Sequence, residues 1–140
     1  MNENDTLLVV EDNEDDVYFM RRALKAVAPT IPVRFVSDGR AALDYLHASG
    51  EFADRNENPF PAVVFLDLKL PFVHGLEVLA TIRREPALRG LRVFVLTSSS
   101  EERDRSQAEQ LGVQGYLVKP PTRDMLAPIL GLSKDAAVAR

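Results

Sequence analysis

Short runs of apolar and β-branched residues recur along the chain, at Leu7–Val10, Val33–Val36, 62–66, 93–96 and 116–118. They do not alternate apolar with polar, which is the pattern of strands covered on both faces in a parallel sheet. Between them the apolar positions take helical spacing. Val17, Met20, Leu24 and Val27 form one stripe, Leu76, Leu79 and Ile82 another, and Met125, Leu126, Ile129 and Leu130 a third. Gly50 and Gly112 stand where helices over 41–49 and 101–111 would stop. Ser99 with Glu102 three residues on has the form of a capping box opening the second of these. Alternation of five strands with five helices predicts an α/β fold, an open doubly wound sheet between two helical layers.

Three segments depart from this rhythm. Residues 51–61, rich in Asn, Pro and charge, read as a long exposed loop before the third strand. The helix over 101–110 carries Ala108 as its single apolar residue before Leu111, which predicts weak anchorage and local mobility. Residues 133–140 read as a loosely attached tail.

Composition narrows the picture. At 140 residues the chain is expected to be one domain, 1–140 with its core over about 7–132, and no output domain. Asp+Glu 21 against Lys+Arg 17 gives no basic surface for a nucleic-acid backbone. Cys is 0, which removes disulfides, thiolate metal sites and thiol nucleophiles together. No apolar run approaches the roughly 20 residues of a membrane span, and the acidic, polar start is unlike a secretory signal. The expectation is a soluble cytoplasmic protein without membrane or nucleic-acid partners.

Candidate chemistry follows from the fold class, because open α/β sheets bind ligands beyond the carboxyl ends of their strands. Glu11 and Asp12 follow the first strand and Asp67 ends the third. Thr97 ends the fourth, followed by Ser98 and Ser99, and Lys119 ends the fifth, followed by Pro120. Each alone has an ordinary explanation: acids suit a helix start, Asp67 a turn before Pro71, and Lys119 a solvated surface. Together they are harder to explain so. Carboxylates crowded on one rim repel and raise one another's pKa values, and one lysine offsets only part of that charge. A hard divalent cation resolves the rest, and Mg²⁺ is the best fit to so few carboxylates. With a phosphoryl group delivered there, Asp67 is placed to act as nucleophile. Lys119 and Thr97 then suit the phosphoryl oxygens. Lys119–Pro120 is a candidate cis peptide that would aim the lysine inward.

Leu8-Val9-Val10-Glu11-Asp12-Asn13, Phe65-Leu66-Asp67-Leu68-Lys69-Leu70-Pro71, Gly75, Val95-Leu96-Thr97-Ser98 and Tyr116-Leu117-Val118-Lys119-Pro120 appear in this order. The pattern resembles the receiver domain of two-component response regulators. The acidic 11–17 stretch, the 51–61 loop and the 67–71 segment are most similar to single-domain regulators paired with bacterial phytochrome kinases. The resemblance implies a flavodoxin-like fold with strand order 2-1-3-4-5. It implies Asp67 as phosphoacceptor and a Mg²⁺ site formed by Asp12, Asp67 and the Lys69 backbone carbonyl, with Glu11 acting through water. It further implies Thr97 and Lys119 as the phosphoryl-sensing pair, and Tyr116 as an aromatic switch. Tyr116 read without the resemblance is equally a half-buried strand tyrosine with a wet hydroxyl. Ser98 matches the family's small residue after the hydroxyl. Lys69 and Ser99 occupy the variable positions that tune phosphoryl lifetime. His47 and His74 read as structural.

The implied protein is not an enzyme in the ordinary sense. It takes a phosphoryl group from a histidine kinase, docked at the first helix (15–28) and the loop after Lys119, and then changes a surface. The fourth helix, fifth strand and fifth helix are the expected face for a homodimer or a downstream protein. Three rival readings fit the residues less well. A phosphatase using an aspartate nucleophile wants a second acid two residues later, where Lys69 stands. A nucleotide-binding module wants a Gly-rich loop after the first strand, and there is none. A receiver-like module working without phosphorylation typically loses the acids or the lysine, and both are kept.

Overall fold

The computed structural model describes residues 5–98 and 102–131. Its sheet is built around β3 (Val63–Asp67), buried along its whole length. β1 (Leu7–Val10) pairs with it on one side and β4 (Arg92–Thr97) on the other. β2 (Val33–Val36) and β5 (Gly115–Val118) form the edges of a parallel sheet ordered β2-β1-β3-β4-β5. The strands lack polar alternation because both faces are covered. Leu7, Val9, Phe65 and Leu117 pack with Met20 and Leu24 of α1 (Glu14–Val27) and Leu126 of α5 (Arg123–Ile129). Leu8, Val10, Leu66 and Val95 pack on the other face, with Ala42 of α2 (Gly39–Leu46), Val78 and Ile82 of α3 (Gly75–Arg84) and Ala108 of α4 (Glu102–Gln110).

Several boundaries differ from the sequence expectation. β3 runs one residue later than 62–66 and β4 one residue further at each end than 93–96, so that Asp67 and Thr97 close their strands as expected. α2 stops at Leu46 instead of Ser49, because Ala48 takes the left-handed conformation (φ 53°) that was expected of a glycine. Gly50 opens a short 3₁₀ turn (Gly50–Phe52) instead. Gly112, with φ 71°, does stand just past the end of α4. Ser99, the side chain of Glu102 and the tail 133–140 lie outside the described residues. Among the described residues no helix is long and apolar enough to cross a membrane.

Two arginines do work that periodicity does not reveal. The 51–61 loop lies at the surface but is tied down: Arg55 donates to the carbonyls of Tyr45 (2.9 Å), Leu46 (2.8 Å) and Asn58 (3.0 Å). Tyr45 donates its hydroxyl to Pro59 O at 2.8 Å. Arg83 of α3 fastens the carboxyl end of α4, donating to Leu111 O and Gly112 O, both at 2.8 Å, and also to Arg89 O and Leu91 O. The weakly apolar α4 is therefore held by buried Ala108 and by this guanidinium. Arg83→Ala strands several carbonyls at once and is expected to cost on the order of 2 kcal/mol. Urea unfolding measures it, and an unchanged midpoint would contradict this role.

Candidate functional site

Strand register assembles the site. Val10 of β1 lies level with Leu66 of β3, so the next residues, Glu11 and Asp67, are neighbours. Thr97 of β4 lies level with Val118 of β5, which puts Lys119 one step beyond it. Side chains alternate between sheet faces. Glu11, Asp67 and Lys119 therefore continue the rows of Val9, Phe65 and Leu117, on the side of α1 and α5. Thr97 continues the row of Val95, on the side of α4, with Tyr116 two residues before Val118 on the neighbouring strand.

The loop after β3 must turn sharply to leave Asp67 at the rim. Gly75 makes this possible: a Cβ there would lie 2.4 Å from Asp67 O and 2.5 Å from Leu68 Cα. Its N–H instead donates to Leu68 O at 2.8 Å. His74 caps α3, its Nδ1 accepting from Leu76 N at 3.1 Å, and His47 pairs with Glu85 at 2.9 Å. Both histidines are thus structural.

Lys119 is the centre of the ionic cluster. Its Nζ donates to Asp16 Oδ2 at 2.9 Å and to Asp67 Oδ2 at 3.0 Å, and pairs with Glu11 Oε1. Glu11 Oε2 accepts from Asn13 N at 3.2 Å, and Asp67 Oδ1 accepts from Lys69 N at 3.1 Å. The side chain of Lys69 is exposed. Thr97 is buried, and its carbonyl accepts from Lys119 N at 2.7 Å. The Lys119–Pro120 peptide is cis, as the sequence suggested. Tyr116 is half-buried, but its hydroxyl is not wet, as the reading without the resemblance had it: the OH is buried without a hydrogen-bond partner among the described residues, and Arg105 lies 5.3 Å from the ring centre.

Burial pushes Glu11 up to about 7, assisted by neighbouring Asp67 and opposed by Lys119. Burial alone would lower Lys119, yet its bonds to Glu11, Asp16 and Asp67 raise it above the usual lysine value, so the ammonium stays charged. Carboxylate oxygens of Glu11, Asp12 and Asp67 lie within 4.8 Å of one another, with Asp12 exposed to solvent. These hard oxygen donors carry more negative charge than one ammonium offsets, which fits a divalent cation. Sequence reasoning missed Asp16, because an acid in the first turn of α1 is already explained by the helix dipole.

The fold and this rim define a phosphoryl-signalling receiver, and the comparisons agree. The chain belongs to the response regulator receiver domain family, which it matches over residues 7–130. It is similar to the bacteriophytochrome response regulator RtBRR, at 42% identity and TM-score 0.80, covering 91% of this chain and 76% of that one. It is similar to the bacteriophytochrome response regulator AtBRR, at 40% identity and TM-score 0.79, covering 91% and 90%. Response regulator Rcp1 of Synechocystis sp. is 34% identical over 90% of this chain and 84% of its own length. An Mn²⁺-bound structure of Rcp1 superposes with TM-score 0.76, covering 91% of this chain and 90% of that one.

A pH dependence follows from Glu11. Its folded value of about 7 lies above the ordinary 4.5, so between these values the folded state holds a proton that the unfolded chain has lost. The metal-free protein then loses stability as pH rises through that window. The thermal midpoint in EDTA is expected to fall from pH 5 to pH 8 more steeply for wild type than for Glu11→Gln. Equal slopes would contradict it.

Proposed function

We propose that Asp67 accepts a phosphoryl group from the phosphohistidine of a histidine kinase, and that the kinase is of the phytochrome type. A carboxylate oxygen of Asp67 attacks phosphorus, the P–N bond breaks, and the kinase histidine leaves with the bond's electron pair. The observation that carries this reading is the direct bond from Lys119 Nζ to Asp67 Oδ2 within the cluster of Glu11, Asp12 and Asp67. Lys119, kept charged by its partners, pairs with a phosphoryl oxygen as negative charge builds there. Asp12, Asp67 and the Lys69 carbonyl would hold Mg²⁺, with Glu11 acting through water. The bound cation would supply charge neutralisation of the phosphoryl oxygens. The likeness to RtBRR and AtBRR supports the phytochrome-type donor.

Thr97 then donates its hydroxyl to the phosphoryl group, and Tyr116 moves in response. Its ring already packs against the core beneath α4, and its buried hydroxyl, without a hydrogen-bond partner among the described residues, makes a change of position inexpensive. The readout surface is the face of α4, β5 and α5, offered to a second copy of the chain or to a downstream protein. The chain works as a receiver domain, in the cytoplasm.

Incubation with acetyl phosphate and Mg²⁺, followed by phosphate-affinity electrophoresis, tests the site. Wild type is expected to give a retarded band, lost in Asp67→Asn and on adding EDTA. A band that survives Asp67→Asn would overturn the assignment.

A further inference from the structure

The Lys119 ammonium has three carboxylate partners: it donates to Asp16 and Asp67 and forms an ion pair with Glu11. Glu11 and Asp67 also belong to the group of carboxylates suited to a divalent cation, together with Asp12; Asp16 does not. A cation that engages Glu11 and Asp67 therefore takes from the ammonium two of its three partners and repels it at short range. The lysine side chain is only 9% exposed, so leaving for water would require the rim to open.

Asp16 is built to prevent that. Its backbone N–H is fixed by the Asn13 side chain at 3.0 Å, while Asn13 N holds Glu11 Oε2, so one cap sets both acids. Its side chain is 31% exposed and carries its charge at modest desolvation cost. Glu14 and Asp15 share the same helical turn and lie exposed, whereas the Asp16 carboxylate is aimed at Lys119.

We infer that Asp16 is a positioning residue, the counterion that keeps Lys119 at the rim while a divalent cation is held by Asp12 and Asp67 with Glu11 engaged through water. The inference rests on the phosphoryl-acceptor reading above. Without Asp16 the ammonium falls back wholly on Glu11 and Asp67 and competes with the cation for them. Asp16 thus acts on metal affinity through the lysine and touches no reacting atom.

Calorimetric titration of the full chain with Mn²⁺, without a phosphodonor, tests this. Asp16→Ala is expected to raise the Kd about five- to tenfold, and Asp15→Ala, the same charge change one residue away, less than twofold. Asp16→Asn, which keeps the shape and an acceptor, should fall between them. In a Lys119→Met background the extra effect of Asp16→Ala should vanish, as a double-mutant cycle requires of a residue acting through the lysine. Melting curves establish that each variant is folded. Equal Kd values for Asp16→Ala and Asp15→Ala, or an Asp16→Ala effect that persists without Lys119, would overturn the role of Asp16 alone. A wild type that takes up no Mn²⁺ would overturn the metal reading of the whole rim with it.

Discussion

A single ammonium group shared among three carboxylates at the edge of a parallel sheet is the constraint around which this molecule is arranged. Left in a low-dielectric rim, Glu11 and Asp67 would repel strongly. Lys119 holds them together but does not neutralise them, and the remaining charge makes the rim receptive to a second, harder cation. The same imbalance that burdens stability thus creates the binding capacity, a usual relation between strain and function.

The rest of the fold serves that edge. The two apolar cores fix strand register, and register sets Glu11 beside Asp67 and Lys119 beyond Thr97. Gly75 lets the loop after β3 fold back against Asp67 without displacing it. The pleat then divides the work between faces. The ionic residues continue the core beneath α1 and α5, while Thr97 and Tyr116 continue the one beneath α4. On the proposed reading, a change in charge at Asp67 is passed through Thr97 to a helix whose described residues bury little beyond Ala108 and which is fastened at its far end by Arg83.

Much of this was legible in the sequence because doubly covered strands leave uninterrupted apolar runs, and because residues just past such runs must share a rim. What escaped did so for physical reasons. Asp16 was hidden by a sufficient local explanation, the helix dipole. Arg83 and Arg55 bond to backbone carbonyls, a role that hydrophobic periodicity does not encode. The stop of α2 fell at Ala48 because the turn that leads into Gly50–Phe52 imposes a left-handed residue where no glycine stands. The Tyr116 hydroxyl, wet only on the reading made without the family resemblance, is buried, with Arg105 of α4 over the ring, a matter of tertiary packing.

Diffraction at the manganese edge from crystals grown with Mn²⁺ tests the central claim most directly. One anomalous peak is expected, bonded to the carboxylates of Asp12 and Asp67, with Lys119 beside it and still on Asp16. A peak elsewhere, or a rim with no peak and Lys119 still bound to Glu11 and Asp67, would contradict it.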